Sequence, residues 1–579
     1  MNMKRFLPFL QWLPGYSRTD LRGDVSAGLT VGVMLIPQGM AYSMLAGLPP
    51  IYGLYASTIP LILYAMFGTS RQLAVGPVAM VALLIATGVG AIAPVGSAEF
   101  IGLAILLALM VGLMQLALGV FRLGFLVNFL SHPVISGFTS AAALIIGLSQ
   151  LKHLLGVDIP RSNYIHKILI DAAQNAGAIH WPTLLLGLGG IAVIIGIKRL
   201  KLGIPGPLVA VVLAIVAVYA FGLHEGGMKI VKEVPSGLPP FALPKLDMDS
   251  LRELLPIAVT ISLVGFMESI AVAKAIQAKH KNYEVDSNQE LIGLGLANIG
   301  GALFSAFPTT GGFSRTAVND QAGARTGMAS VISAVLILLT LLFLTPLFYY
   351  LPKAVLASVI MVAVFGLIDI KEAVHLWKTD RRDFIMLLVT FLATLSLGIE
   401  QGIGVGVVLS LAMVVYRSTY PHVAVLGKLP GTAQYRNVAR FKEAIERPDV
   451  LVVRFDAQLF FANTTIFRDK LTEYERRKGD KLRLVVLDFA AVNGLDSSAV
   501  HMLHDLLAEY RKRNVALYMS AVKGPIRDVL YRSGLMDEIG GGNFFLHNEQ
   551  AIDHWDQAEL VSRQERNPAS QTNLEKVAV

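Results

Sequence analysis

The chain has 579 residues, of which 54% are hydrophobic and only 16% are charged, and its formal net charge is +8. Soluble domains carry roughly 25% charged residues, so much of the chain is predicted to lie in a membrane. Cysteine is absent, which excludes disulfides, thiolate catalysis and cysteine metal ligands. The basic residues lie mostly at the ends of apolar segments, without interleaved aromatic residues. This placement is typical of membrane proteins and argues against nucleic-acid binding.

Charged residues are concentrated towards the C-terminus, because 42 of the 90 follow residue 430. We therefore predict a large membrane domain and a smaller soluble domain, with the boundary near residues 418–436. The predicted organisation has four parts: a cytoplasmic N-terminal segment, 1–22; a transmembrane domain, 23–420; a soluble domain, 437–555; and a polar, disordered tail, 562–579.

Twelve apolar stretches are candidates for helices that cross the hydrocarbon core, which needs about 20 residues: 24–45, 51–67, 98–120, 132–151, 180–197, 205–223, 254–278, 288–306, 328–350, 353–370, 383–398 and 401–417. Two further segments, after 74–78 and after 311–315, are short and interrupted by glycine or proline. The total is fourteen, and an even number places both termini on one side of the plasma or inner membrane. Basic residues predict that this side is the cytoplasm: Arg71, Arg122, Lys198, Arg199, Lys279, Lys281, Arg325, Lys378, Arg381, Arg382 and Arg417.

The two interrupted segments are the third and the tenth, so each is third in a set of seven. Paired broken segments at matching positions are typical of inverted-repeat transporters. Seven is odd, so the second half must be inverted, and the two half-helices should meet with their N-termini near the bilayer midplane. Pro133 and Pro352, which begin the fifth and twelfth segments, repeat the same spacing. The alternative is that membrane helices simply tolerate glycine and proline.

An arginine lies within the second break, in residues 307–315 (FPTTGGFSR). A cation at this depth is costly unless it faces a cavity or a partner. Pro308 and the glycine pair end any helix that enters, and a new helix can begin at Ser314 with free N–H groups. Free amides, the positive end of a helix dipole and Arg315 together predict an anion-binding site, and hence anion transport.

Three runs resemble the signature of the sulfate permease (SulP) family of anion transporters: 37–42 (PQGMAY), 50–71 (from PIYGLYAS to GTSR) and 307–315. The resemblance covers nearly the whole chain. It implies an α-helical, polytopic seven-plus-seven inverted repeat followed by a small α/β domain. It also implies that a core domain, segments 1–4 and 8–11, moves against a gate domain as an elevator, and that the protein is a homodimer.

The resemblance further implies which residues meet the anion. Gln38 and Tyr42 lie four apart on one helix face, although a helix–helix hydrogen bond and a packing tyrosine are the alternatives. The other implied contacts stand at the two breaks: Gly76, Pro77 and Val78 at the third segment, and Gly312, Phe313, Ser314 and Arg315 at the tenth.

Glu268 is the only acidic residue in the apolar core of the eighth segment. We expect it to be the partner of Arg315, and protonation of Glu268 would then release Arg315 to bind a dianion, which describes proton symport. A permanent ion pair that only holds the fold is the alternative. The resemblance also bears on sodium coupling. Sodium-dependent bicarbonate members of the family use an acidic residue with a hydroxyl one helical turn on, where this chain has Val272, although Ser269 remains available.

From about residue 437, predicted strands at 450–455, 484–489 and 515–519 alternate with amphipathic helices, which predicts an α/β domain. Residues 488–498 resemble the STAS domain, the fold of anti-sigma-factor antagonists. In those antagonists the serine that matches Ser498 is phosphorylated, so the resemblance implies regulation at Ser498, with Ser497 beside it as a second regulatory candidate. Capping of the following helix by Asp496 or Ser497 is the favoured interpretation. We expect this domain to regulate transport, direct trafficking or bind a cytoplasmic protein.

The sequence contains no Walker motif, metal-ligand cluster or nucleophile–histidine–acid arrangement, so we expect neither an enzyme nor a cofactor. Proton-coupled sulfate uptake is the first hypothesis. A bicarbonate or C4-dicarboxylate symporter and an anion exchanger are alternatives in the same class. A membrane-anchored anion sensor that signals through the soluble domain is the alternative in another class.

Overall fold

Fourteen helical segments form the membrane part of the described chain, as the sequence predicts. The computed structural model describes residues 7–125, 131–159, 165–200, 204–280 and 283–566, without the side chains of 399–400 and 562–566. The chain folds as two compact units, the first ending at Ser410 and the second beginning at Leu411. By length and composition, nine of the described helices could cross a membrane.

The segments are numbered in chain order: 1, Arg18–Ala46; 2, Pro50–Phe67; 3, Ala79–Gly88; 4, Ala98–Val120; 5, His132–Ser149; 6, Trp181–Leu200; 7, Gly206–Ala220; 8, Met248–His280; 9, Ser287–Leu303; 10, Phe313–Gln321; 11, Met328–Phe348; 12, Lys353–Phe365; 13, Arg381–Leu397; and 14, Ile399–Thr419. A further helix, Ile370–Thr379, lies between segments 12 and 13 and was not predicted.

Segment 1 begins earlier than the predicted residue 24, because Ser17 and Asp20 cap it. The Ser17 hydroxyl accepts from the Asp20 amide at 3.1 Å, and the Asp20 carboxylate accepts from the Ser17 amide at 3.0 Å. This reciprocal pair satisfies two groups that a helix start would otherwise leave unpaired. Residues 18–22 of the predicted N-terminal segment are therefore helical.

Helix packing in the first unit repeats after seven segments. Segment 1 packs on segment 11, and its counterpart, segment 8, packs on segment 4. Segment 5 packs on segment 13, and segment 12 packs on segment 6. If each segment of the 1–11 contact is replaced by its counterpart seven places away, the result is the 8–4 contact. The 5–13 contact is related to the 12–6 contact in the same way, as an inverted repeat requires. The predicted seven-plus-seven fold is confirmed.

Two short strands bring the broken segments together. Strand β1, Val75–Gly76, precedes segment 3, and strand β2, Thr310–Gly311, precedes segment 10. They pair antiparallel, with Val75 opposite Gly311. Gly76 has a φ of +150°, a conformation that residues with a side chain rarely adopt. The N-termini of both half-helices therefore lie close together.

The sequence run from Pro50 to Arg71 has a structural explanation in close packing. Segments 1 and 2 touch at two glycines, since a Cβ at Gly53 would lie 1.9 Å from the Gly39 carbonyl oxygen.

The buried carboxylate of Glu290 accepts hydrogen bonds from Tyr64 Oη at 2.6 Å, from both the amide and the hydroxyl of Thr69 at 2.6 Å, and from the Ser70 amide at 3.0 Å. Glu290 on segment 9 thus fixes the loop between segments 2 and 3.

A second buried carboxylate, which belongs to the first repeat, fixes a loop of the second repeat. Asp24 on segment 1 accepts from the amides of Arg325 and Thr326 at 2.7 and 3.0 Å, and from the Thr326 hydroxyl at 2.5 Å. These donors lie in the loop between segments 10 and 11. Burying a carboxylate is costly unless it is hydrogen-bonded, and each of these acids accepts several hydrogen bonds from loop residues. Both acids therefore stabilise the loops beside the half-helices rather than bind a ligand.

The second unit, from residue 411, contains a six-stranded sheet in the order β4-β3-β5-β6-β7-β8. Its strands are β3, Val423–Lys428; β4, Tyr435–Asn437; β5, Val450–Phe455; β6, Leu484–Asp488; β7, Ala516–Ser520; and β8, Phe544–Phe545. Strands β5 to β8 are parallel, as crossover helices require. The helices of this unit are Thr464–Lys478, Ser497–Lys512, Gly524–Arg532, Leu535–Ile539 and Asn548–Arg566.

Both faces of this sheet are covered. Phe467, Leu471 and Leu503 pack on one face, and Ala551 and Ile552 of the last helix pack on the other. The three predicted strands are confirmed as β5, β6 and β7. Because β3 pairs antiparallel with β5, the sheet begins before the predicted boundary at residue 437. The last helix continues to Arg566, beyond the predicted start of the tail at 562, and residues 567–579 lie outside the described residues.

Candidate functional site

A cavity of about 550 Å³ lies in the membrane unit where the half-helices begin. Segments 1, 3, 8 and 10 form one wall, and segments 5, 12 and 14 form the opposite wall. It is lined by most of the predicted site residues: Gln38, Tyr42, Val78, Glu268, Gly312, Phe313, Ser314 and Arg315. The structure therefore brings into one space residues that are up to 277 positions apart in the sequence.

The backbone amides at the starts of segments 3 and 10 lie at this cavity. In segment 10, the first helical hydrogen bond runs from the Thr316 amide to the Gly312 carbonyl, and in segment 3 it runs from the Ala82 amide to the Val78 carbonyl. The three amides before each of these bonds have no backbone acceptor among the described residues. Two helix N-termini therefore direct free N–H groups and positive dipole ends at the same space, which suits an anion and repels a cation.

Arg315 is 2% exposed and adds a full positive charge behind the crossing point. Its Nη1 donates to the Pro77 carbonyl oxygen at 2.6 Å, which ties segment 10 to the start of segment 3. Its Nε and Nη2 are buried without a hydrogen-bond partner among the described residues. A Cβ at Gly312 would lie only 2.9 Å from Nη2, so the glycine makes room for the guanidinium.

The other predicted contacts differ in position. Gln38 and Tyr42 are buried in the cavity wall, and Gln38 Oε1 has no hydrogen-bond partner among the described residues. Phe313 and Ser314 are exposed to the cavity. Gly76 and Pro77 are placed behind the lining, where they support the crossing instead of facing the space.

Glu268 lines the same cavity and is half-buried. Arg315 lies within electrostatic range of Glu268, yet the two form no ion pair or hydrogen bond within the described part of the chain. The two residues therefore lie at the same cavity, but they do not form the direct contact that was expected. A carboxylate that lines the same cavity as Arg315 changes the net charge of that cavity when it gains or loses a proton.

Ser269 and Thr310 fix strand β2 on segment 8. The Thr310 hydroxyl donates to the Gly265 carbonyl at 2.5 Å, so the Ser269 hydroxyl must donate to Thr310 Oγ1, which lies 2.7 Å away. Ser269 Oγ also accepts from the Gly311 amide at 2.8 Å. The hydroxyl that the sequence left available for sodium is thus occupied by structural hydrogen bonds.

Replacing Ser269 with alanine is expected to destabilise the protein by about 1–3 kcal/mol, because the buried Gly311 amide loses its acceptor. Thermal unfolding of the purified protein measures the effect. Ser262→Ala is the matched control on the same helix, since the Ser262 hydroxyl makes only long contacts, at 3.5 Å to the Val111 carbonyl and 3.7 Å to Met114 Sδ. Equal destabilisation by both substitutions would contradict this role of Ser269.

The opposite wall was not predicted from the sequence. Segment 5 contributes Ser136, Phe138 and Thr139, and the end of segment 12 contributes residues 366–369. His132 and Asp369 line the cavity and stand at the end of the membrane unit that carries the basic loops, so the cavity extends to that end. The only available signal was the row of hydroxyl residues in segment 5, and it does not distinguish a cavity wall from helix packing.

The regulatory candidates in the second unit are both exposed, at the start of the helix Ser497–Lys512. Asp496 caps this helix, because its carboxylate accepts from the Ala499 amide at 2.9 Å. The favoured capping interpretation is correct for Asp496, and Ser497 and Ser498 remain accessible. In the described ranges, no group of three or more histidine and acidic side chains could hold a metal ion.

Comparison with known proteins agrees with this geometry. Residues 21–390 match the sulfate permease family, and residues 441–551 match the STAS domain. The chain belongs to the sulfate permease family.

Among its relatives are two plant proteins. The chain is 44% identical to "Sulfate transporter 4.1, chloroplastic" of Arabidopsis thaliana over 94% of this chain and 82% of that protein. It is 35% identical to "High affinity sulfate transporter 2" of Stylosanthes hamata over 95% of this chain and 86% of that protein.

Solved structures of similar fold include murine Slc26a9, an anion transporter in the inward-facing state. It aligns with a TM-score of 0.88 and 28% identity over 96% of this chain and 94% of that chain. The transmembrane domain of the cyanobacterial bicarbonate transporter BicA aligns with a TM-score of 0.59 and 25% identity, over 68% of this chain and 98% of that one.

Proposed function

We propose that this protein is a secondary active anion transporter that takes up sulfate together with protons. The observation that supports this most is the membrane cavity into which two opposed helix N-termini direct their amides, with the charge of Arg315 behind them. An anion placed there exchanges its hydration for fixed N–H donors. The names of the plant relatives, which are sulfate transporters, support sulfate as the anion.

Proton coupling is assigned to Glu268. When Glu268 is charged, it offsets the positive potential of the cavity, and when it is protonated that potential is available to a divalent anion. Sulfate carries two charges, so its entry against a negative membrane interior requires compensating protons. Sodium coupling is disfavoured, because Val272 offers no oxygen ligand and the Ser269 hydroxyl already serves Thr310 and Gly311.

The proposed movement is an elevator. The cavity separates a core wall, from segments 1, 3, 8 and 10, and a gate wall, from segments 5, 12 and 14. Its opening on the side of the basic loops corresponds to an inward-facing state, the state named for the murine Slc26a9 structure. Displacement of the core along the gate would carry the anion to the other side.

In the same proposal, the protein resides in a plasma or inner membrane with both termini cytoplasmic, and it forms a homodimer. The STAS domain acts as a regulatory or partner-binding module, with Ser497 and Ser498 as accessible sites for modification. Gel filtration with light scattering measures the oligomeric state, and an excess of monomer at transport-active concentrations would contradict the dimer.

Labelled sulfate flux into proteoliposomes tests the transport proposal. We expect sulfate to accumulate without an internal anion when the outside is acidic, and liposomes without protein provide the blank. Accumulation only with a counter-anion inside would identify an exchanger, and binding without net flux would identify a sensor. Competition by unlabelled sulfate, bicarbonate, oxalate and succinate in the same assay identifies the preferred anion.

A further inference from the structure

The helix Ile370–Thr379 connects segments 12 and 13, and neither the sequence prediction nor the transport proposal uses it. It has ten residues, which span about 15 Å. The hydrocarbon core is about 30 Å thick, so this helix cannot cross it. It lies at the end of the membrane unit that carries the basic loops, since Asp369, which caps its start, also lines the mouth of the cavity.

One face of this connecting helix is apolar and exposed. Ile370, Val374 and Trp377 are 71%, 49% and 53% exposed, and their spacing of four and three residues places them in one row. Leu376 is buried on the opposite side, where the helix packs on the protein. An exposed row of this kind requires an apolar environment outside the protein.

The exposed row is continuous with the lipid-facing surface of segment 13. Trp377 packs edge-on against Phe384, with 5.0 Å between the ring centroids. The next residues of segment 13, Ile385 and Leu388, are also exposed and apolar. Segment 13 is one of the fourteen segments of the membrane unit and packs on segment 5. The exposed apolar surface formed by Trp377, Phe384, Ile385 and Leu388 therefore faces acyl chains in the proposed arrangement and not a soluble partner.

Positive charge flanks the apolar row. Lys371 and Lys378 are seven residues apart, so they project on the same side of the helix, and both are exposed. Arg381 follows at the start of segment 13, with its guanidinium carbon 5.3 Å from the centre of the Trp377 ring. Tryptophan at the interface and basic residues at headgroup level are the pattern of a helix that lies in the membrane surface and binds negative lipids.

The same helix contacts the cavity mouth through Glu372. The Glu372 carboxylate lies 3.2 Å from Nδ1 of His132, the first residue of segment 5, and the Glu372 amide donates to Asp369 Oδ1 at 2.9 Å. Both His132 and Asp369 line the cavity. A lipid headgroup that holds the connecting helix in place therefore also holds one side of the cavity opening.

We propose that the helix Ile370–Thr379 is a binding site for phospholipids with negatively charged headgroups, which contact Lys371 and Lys378 while the acyl chains cover Ile370, Val374 and Trp377. Bound lipid stabilises the gate side of the cavity mouth through the Glu372–His132 contact. The proposal depends on the membrane location of segment 13 and not on sulfate transport, so it can fail or succeed independently of the proposed function.

Thermal unfolding of the full-length protein in mild detergent, with added phosphatidylglycerol or phosphatidylcholine, tests the headgroup contact. A ligand that binds the folded state raises the unfolding temperature, and we expect phosphatidylglycerol to raise it more than phosphatidylcholine. The double substitution Lys371→Gln, Lys378→Gln should remove at least half of this difference. The matched control Lys442→Gln, Lys512→Gln, at two exposed lysines of the second unit, should retain it.

A full difference in the Lys371→Gln, Lys378→Gln protein, or equal stabilisation by both lipids, would overturn the proposal. An equal effect of inorganic phosphate would also overturn it, because a soluble anion has no acyl chain. Quenching by lipids with brominated acyl chains gives a second measurement. The chain has four tryptophans, and Trp377→Phe should lower the quenched fraction of the fluorescence, whereas an unchanged fraction would show that lipid does not cover this row.

Discussion

Replacing Arg315 with glutamine is expected to weaken sulfate binding roughly 10- to 100-fold, the range for losing a charge-assisted interaction. Arg315 is buried, with Nε and Nη2 unpaired among the described residues. Its charge acts in a low-dielectric site, where an anion feels it strongly. The apparent KM for sulfate flux in proteoliposomes, together with direct binding to the purified protein, measures the loss.

The fold should survive this substitution, although the hydrogen bond from Nη1 to the Pro77 carbonyl is lost, because a buried charge that is in an ion pair with no carboxylate among the described residues is itself destabilising. The unfolding temperature of Arg315→Gln should therefore be unchanged or higher. Arg315→Lys keeps the charge but not the planar donor group that reaches the Pro77 carbonyl, so it should recover part of the affinity. Wild-type affinity in a folded Arg315→Gln protein would remove the electrostatic basis of the proposed site.

Replacing Glu268 with glutamine is expected to abolish the dependence of sulfate uptake on external pH. Glutamine imitates the protonated carboxyl group, so the cavity keeps its positive potential at every pH but can no longer carry a proton. A gradient of one pH unit is worth about 1.4 kcal/mol for each coupled proton. Wild-type protein should therefore concentrate sulfate when the outside is acidic, and Glu268→Gln should only equilibrate it.

Glu99→Gln is the matched control for this experiment, since Glu99 is an exposed carboxylate at the start of segment 4. It should leave the pH dependence of uptake unchanged. Full pH dependence in the Glu268→Gln protein would assign the coupling proton to another group. A loss of folding without a change in coupling would favour the alternative in which Glu268 and Arg315 only hold the structure.

The broken segments could be predicted because their signal is local. Glycine and proline around 74–78 and 308–312 interrupt apolar runs, and the symmetry of their positions follows from counting segments. The start of segment 1 was harder to predict from the sequence, because the apolar run begins several residues after the Ser17 cap. Strands β3 and β4 were missed, since β3 follows a membrane segment directly and β4 has only three residues.

Contacts between distant parts of the chain left no such signal. Glu290 is 221 residues from Thr69, and nothing near either residue indicates the other. The helix Ile370–Thr379 was overlooked for a different reason. The spacing of Ile370, Val374 and Trp377 is visible in the sequence, but the predicted spans 353–370 and 383–398 left the residues between them without an assigned element.

The two buried carboxylates have a consequence for how the chain acquires its fold. Glu290 belongs to the second repeat and binds donors of the first, whereas Asp24 belongs to the first and binds donors of the second. A polypeptide cut between segments 7 and 8 would therefore leave amides unsatisfied in each fragment. Neither fragment should fold stably alone, and the two should assemble only when they are synthesised together.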